Sequence, residues 1–286
     1  MNSESIKYID IHSHLGFGDY QNDFDDVLKR MHEAGVGTIT VGTDLKSSIE
    51  AVKIAEANEN VWACIGAHPH DTENFVFNAE DFEELAKNPK VVAIGECGLD
   101  YFRLEDEFNK GLSSRSEAGR GESLVEFIQK EKSRQQKEFI KQIEFAIKHN
   151  KPLMLHIRDA HDDAYKILSE YKGKVRANLH FFTGGSELAK KFIDLGFTIS
   201  FPGVITFPPK ADQPRADAED AIKNIPLDKI HAETDSPYAA PTPYRGKRNE
   251  PSYVIEVVKK IAEIRGGDFE IVCKQLLKNF KDFFSL

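Results

Sequence analysis

Two histidines stand two residues apart at His12 and His14, and four more nitrogen or oxygen donors stand alone further down the chain, at Glu96, His156, His180 and Asp235. Imidazole and carboxylate without thiolate suit Zn2+, Mn2+, Ni2+ or Fe2+, and a larger share of carboxylate and water suits Mg2+. Six donors are more than one tetrahedral ion with an open position can use, so the set points to two ions. Paired ions ~3.5–4 Å apart stabilise both the attacking and the leaving oxygen of a displacement. A carboxylate can bridge such a pair, and Glu96 is the central candidate. The three cysteines, Cys64, Cys97 and Cys273, are widely spaced and form no CxxC pair, which argues against a thiolate zinc site and against a disulfide framework.

Taken singly, each donor is weak evidence. Two histidines two apart are common, a strand-end histidine is usually just hydrogen-bonded, and an Asp at a helix start is usually a cap. What binds the six together is their position on the elements that must carry them. Eight short β-branched runs recur: Ile6–Ile11, Gly37–Val41, Val61–Ile65, Val91–Ile94, Pro152–Leu155, Arg176–Leu179, Phe197–Ser200 and Lys229–Ala232. Amphipathic helical patterns lie between most of them, among them Phe24–Ala34, Ser48–Asn58 and Gln135–His149, one starting at Ser186, and Ser252–Arg265 and Asp268–Phe283 after the last run. Strand–helix alternation implies parallel strands, and eight units imply closure into a (β/α)8 TIM barrel, an α/β fold. Chemistry on that fold sits at the C-terminal ends of the strands. His12 and His14 come after the first run, Glu96 the fourth, His156 the fifth, His180 the sixth and Asp235 the eighth, so all six reach one rim.

The chain has 286 residues, 40% hydrophobic and 30% charged, which suits one barrel domain. The stretch Arg103–Arg134 breaks the rhythm with Gly111, Gly119, Gly121 and many serines. It reads as an insertion after strand four, disordered at its centre and helical towards Leu124–Arg134. No apolar run approaches the ~20 residues of a membrane span. The first residues lack a basic stretch followed by an apolar one, so the expected location is cytoplasmic. The net charge of -9 argues against a broad basic face for nucleic acid. It leaves a nuclease open, because bound cations can receive phosphate locally.

Seven segments in order carry a family resemblance: Asp10–His14, Gly66–His70, Gly95–Tyr101, His156–Ala160, His180–Gly184, Glu233–Tyr238 and Arg245–Pro251. Together they resemble the TatD family of metal-dependent deoxyribonucleases, within the amidohydrolase superfamily. The resemblance runs from Ile9 to near the C-terminus, excepting Arg103–Arg134, which is longer than the usual loop. It implies divalent-metal dependence and hydrolysis of DNA phosphodiesters by an activated hydroxide, often as a 3′–5′ exonuclease on single strands or 3′ ends. By position it gives His12, His14, Glu96 and Asp235 to the first metal and Glu96, His156 and His180 to the second, Mg2+ or Mn2+ foremost. Asp235 would also orient the attacking hydroxide or take its proton.

His68 faces the same rim and has two readings, a substrate-phosphate or extra-metal role and a structural histidine before Pro69. Arg158 is placed to offset phosphate charge. Arg245 and Arg248 have the same two-sided reading, phosphate grips or surface pairs. Glu233 could orient a ligand histidine. Two other functions compete with the nuclease. One is a small-molecule amidohydrolase or lactonase on the same barrel; many of those carry a carbamylated lysine at the end of strand four, where this chain has Glu96. The other is an inactive barrel that binds partners through the insertion, against which the intact six-donor set speaks.

Overall fold

A computed structural model describes residues 6–70, 76–111, 123–208 and 215–286. Its eight strands are β1 (Tyr8–Ser13), β2 (Val36–Val41), β3 (Val61–Ile65), β4 (Val91–Asp100), β5 (Leu153–Arg158), β6 (Ala177–Leu179), β7 (Thr198–Phe201) and β8 (Ile230–Ala232). They pair in parallel in chain order, β1 to β8. Among the described residues ten α-helices accompany them: α1 (Phe24–Glu33), α2 (Leu45–Ala57), α3 (Ala79–Ala86), α4 (Leu104–Gly111), α5 (Leu124–Lys148), α6 (His161–Ser169), α7 (Ser186–Ile193), α8 (Arg215–Asn224), α9 (Val254–Arg265) and α10 (Phe269–Phe284). The architecture is the expected (β/α)8 TIM barrel. No helix among the described residues is long and apolar enough to cross a membrane.

Alternation along each strand divides two apolar layers. Leu153, Leu155, Ala177, Leu179, Ile199 and Phe201 face outward into one cluster with the buried sides of the helices. Ile9, Ile11, Ile39, Val41 and Met154 face inward and are sealed from below by Phe280, Phe283 and Phe284 of α10. Burying each such side chain stabilises by about 1.5–3 kcal/mol. The polar site is therefore built on an apolar floor.

Three of the strands that carry the candidate ligands run past their expected ends, while β6 and β8 stop at Leu179 and Ala232 as expected. β1 reaches Ser13 instead of Ile11, β4 reaches Asp100 instead of Ile94, and β5 reaches Arg158 instead of Leu155. Register shifts explain two of these. The β1–β2 ladder is irregular between Asp10 and Ser13, and the β4–β5 ladder between Ile94 and Cys97. A bulge inserts a residue and re-aims the side chains beyond it. It lets Ile9 and Ile11 fill the floor while His12 and His14 also turn inward, which strict alternation forbids.

The seam between β8 and β1 closes on site residues. Asp10 accepts the Thr234 N–H at 2.8 Å and the Thr234 hydroxyl at 2.6 Å. Asp235 N–H donates to His12 O at 2.9 Å, and His14 N–H donates to Ser236 O at 2.8 Å.

Around the stretch 103–134, α4 occupies the start, and α5 joins the expected Leu124–Arg134 and Gln135–His149 helices into one of 25 residues. Ser123 and Glu126 cap its start reciprocally, Ser123 N–H donating to Glu126 Oε2 at 2.9 Å. The centre of that stretch, expected to be disordered, lies outside the described residues.

Candidate metal centre

The six donors expected at one rim come together there. His12 Nε2 lies 3.3 Å from His14 Nε2. Both face Asp235 Oδ1, at 3.7 and 3.4 Å, and Glu96 Oε2, at 3.4 and 3.8 Å. The other Glu96 oxygen, Oε1, faces a second pair, His156 Nδ1 at 2.9 Å and His180 Nε2 at 3.0 Å. Donors held ~2.0–2.1 Å from an ion at tetrahedral angles stand roughly 3.4 Å apart. The first quartet has that spacing, and three groups here, the trios His12, His14, Asp235; His12, Glu96, His180; and His68, Glu96, His156, could hold a cation.

Hydrogen bonds at the far ring nitrogens decide which imidazoles can ligate. His14 Nδ1 donates to Val41 O at 3.0 Å, which leaves Nε2 as a lone pair aimed at the site. His180 Nδ1 faces Glu233 Oε1 at 3.4 Å, an ion-pair contact without hydrogen-bond geometry, and its Nε2 points to the site. Glu233 is itself held by the Ser200 hydroxyl at 2.6 Å and by the Phe181 N–H. His156 Nε2–H donates to Asp100 Oδ2 at 2.9 Å, which keeps the ring proton on Nε2 and frees Nδ1. His68 has the opposite polarity. Its Nδ1 accepts the His70 N–H at 3.1 Å, so a neutral His68 carries its proton on Nε2. That Nε2–H faces Glu96 Oε1 at 3.6 Å as a donor, and His68 could join the His68, Glu96, His156 trio only by giving up that proton. Burial keeps the ring neutral by pushing its pKa down to about 3.

The electrostatics come from burying two carboxylates among imidazoles. Burial works to raise the Glu96 pKa, but His180, His68 and His12 outweigh it and hold the carboxyl well below its ordinary range. Asp235 is held low in the same way, by the His14 hydrogen bond and the charges of His180 and His12 against burial. Burial works to lower the His180 pKa, and Glu96 and Glu233 outweigh it, raising it well above the usual value.

Local backbone fixes these positions. An added Cβ at Gly98 (φ +143°) would meet His156 O at 2.1 Å, so β4 approaches β5 more closely than any side chain permits just where His156 sits. Phe181 (φ 51°) and Asp235 (φ 55°) hold left-handed conformations just beyond β6 and β8. Such conformations cost roughly 1–2 kcal/mol each and aim these residues at the rim.

A cavity of about 1000 Å3 opens above the donors and is lined by His68, Arg158 and Tyr238 among others. Arg158 is exposed at its wall, its guanidinium 3.4 Å over the Phe102 ring. Arg248 is elsewhere: it donates to both Asp23 oxygens, at 2.7 and 2.6 Å, and to Asp19 O, so it forms the surface pair. Arg245 stacks over Phe207 at 4.4 Å, also away from the cavity. Reading the sequence missed Asp100 and Asp10, although both lie inside segments that carry the resemblance. Asp10 N-terminal to the histidine pair is the clearer signal, since a carboxylate there can tie β1 to the last strand.

The family model described as "TatD related DNase" matches residues 9–285. The chain is 36% identical over 286 residues to the uncharacterized metal-dependent hydrolase YcfH of Escherichia coli K12, covering 97% of this chain and 96% of that one. It is 32% identical over 285 residues to a relative from Escherichia fergusonii named 3′-5′ ssDNA/RNA exonuclease TatD, covering 97% and 98%. The crystal structure of YjjV, a TatD homolog from E. coli K12, superposes with a TM-score of 0.81 at 26% identity, over 99% of each chain. The chain belongs to the TatD-related family of metal-dependent hydrolases.

Proposed function

We propose that this chain is a nuclease that hydrolyses DNA phosphodiesters, working 3′ to 5′ from single-stranded ends. His12, His14, Glu96 and Asp235 would hold one divalent cation, and Glu96, His156 and His180 the other. The observation that carries this reading is the division of Glu96, whose Oε2 faces one histidine pair and whose Oε1 faces another. A carboxylate so placed could serve both cations. Mg2+ and Mn2+ are the expected ions, and four imidazoles should make Mn2+ the tighter. When bound, the ions supply Lewis acidity towards the phosphate oxygens and a lowered pKa for water.

The rest of the chemistry belongs to the chain. Asp235 stays ionised inside the cavity, so its carboxylate can orient a water and take its proton as the oxygen attacks phosphorus. The P–O bond to the leaving nucleotide breaks, and the departing oxygen takes a proton. His68 Nε2–H and the Arg158 guanidinium face the cavity as donors to the remaining phosphate oxygens, where charge grows in the transition state. The relative named as an ssDNA/RNA exonuclease supports nucleic acid as the substrate class.

The test is release of nucleotides from a 5′-labelled single-stranded oligonucleotide with Mn2+ or Mg2+ added. Wild type should shorten it from the 3′ end, and folded Glu96→Gln should not. Protein that is loaded with metal and ignores the oligonucleotide, yet opens lactones or amides, would replace this reading with the small-molecule one.

A further inference from the structure

Among the described residues six large apolar or aromatic side chains stand out by their exposure: Ile49, Val76, Val125, Tyr238, Ile271 and Leu286. Of these, Tyr238 alone lines the cavity above the donors. It is 54% exposed, three residues after Asp235. Flexibility does not explain that exposure. Tyr238 N–H donates to Asp235 O at 3.0 Å, and Tyr238 O accepts from the side chain of Asn249 at 2.6 Å. Asn249 is fully buried and donates in the same way to Thr234 O at 2.9 Å, so one buried amide fixes the backbone on both sides of Asp235.

The ring has a built setting. Phe17 stacks on the His14 imidazole, centroids 4.5 Å apart and planes 12° apart. Tyr238 stands nearly upright to that pair, 6.4 Å from Phe17 at 70° and 6.5 Å from His14 at 64°. A half-exposed aromatic on a fixed backbone, at the wall of a cleft that Phe17, Phe102 and Phe181 also line, is suited to a planar π-system. Nucleobases stack on such rings whatever their sequence.

We propose that Tyr238, braced by Phe17, is a stacking subsite for a nucleobase flanking the scissile phosphate, on the His14 and Asp235 side of the centre. This rests on the nuclease reading and adds to it a contact outside the six donors. It also predicts what the subsite recognises, a base plane and not a base edge, so cleavage should depend on a base being present and little on which one.

Two readouts separate this subsite from the nuclease reading. The first is turnover. Tyr238→Ala in the metal-loaded enzyme should raise KM for an ordinary single strand about tenfold with kcat little changed, the scale of one lost base stack. For a strand whose two 3′-terminal nucleotides are abasic, Tyr238→Ala and wild type should agree within about twofold. Tyr238→Phe keeps the ring and should behave as wild type on both. The second is binding without turnover, with 2-aminopurine at the last or next-to-last position of the strand. Its fluorescence should be quenched by wild type and by Tyr238→Phe, and recover in Tyr238→Ala. Quenching that survives in Tyr238→Ala, or an equal loss on base-bearing and abasic strands, overturns the subsite. Wild type that quenches 2-aminopurine but cleaves nothing would keep the subsite and remove the nuclease reading. Cleavage with no quenching at either position would do the reverse.

Discussion

Replacing His231 with leucine tests how the barrel tolerates charge away from its metal centre. His231 lies on β8, two residues before Glu233 and four before Asp235, but points into the apolar floor. It is 1% exposed, and neither ring nitrogen has a hydrogen-bond partner. Its neighbours include Phe283 and Phe284 of α10, with ring centroids 5.5 and 6.2 Å away. Burial holds its pKa at about 3, against 6.5 for a free imidazole, with Lys229 adding to the effect. These values set the sign of the pH effect. The unfolded chain takes a proton on His231 below pH 6.5 and the folded protein does not, so folding loses stability as pH falls from 6.5 towards 3. At pH 5 the unfolded state sits about 1.5 pH units below the free value, which at 1.36 kcal/mol per unit is about 2 kcal/mol. His231→Leu keeps nearly the same volume and removes both unpaired nitrogens, so it should be the more stable protein at every pH. Its advantage should grow by about 2 kcal/mol between pH 8 and pH 5. Urea unfolding of both proteins in EDTA at the two pH values measures that growth, and the histidines of the metal centre cancel in the difference. Parallel stability curves for the two proteins would show that His231 is protonated or paired in the folded state and refute the reasoning.

Other expectations concern the rim. Asp100→Asn removes the carboxylate that fixes the His156 ring and should weaken Mn2+ binding by about 10–100-fold with little loss of folding, measured by titration calorimetry; unchanged affinity would mean His156 is oriented by other means. Gly98→Ala drives a Cβ into His156 O, and should lower the melting temperature by several degrees and abolish Mn2+ binding; a variant with wild-type melting would refute the close approach of β4 to β5. Metal binding should release protons. The raised His180 pKa stabilises the metal-free fold below pH 6.5, and that contribution is lost as pH rises through the folded value. A cation must displace the same proton, so its affinity should climb with pH over that window. Calorimetry near pH 6.5 in two buffers of different ionisation heat reads the proton directly, and equal heats would rule the displacement out.

The parts of this molecule that obey repeating rules were readable from its sequence. Eight β-branched runs alternating with amphipathic segments gave the barrel, and the donors at their ends gave the rim, because hydrophobic period and strand-end polarity are local properties. What escaped was non-local. The expected ends of β1 and β4 fell short because each ladder shifts register at its ligand residue, and a run that stops alternating looks like a strand that stops. α5 was read in two pieces, although Ser123 and Glu126, three apart, are a capping signal that places the start of a helix at Leu124. Arg248 shows the limit from the other side. A guanidinium in a polar, proline-rich loop has the right chemistry for phosphate, and only the position of Asp23, some two hundred residues earlier, decides that its charge is already matched. Asp100 combines both kinds of miss. Its role depends on β4 continuing past Ile94 and on β5 lying beside it, with Gly98 opposite His156 in the ladder, so that a carboxylate two residues on can reach an imidazole 56 positions away. The same irregular ladder that hid the end of β4 is therefore what brings Glu96 and Asp100 to opposite nitrogens of one ring.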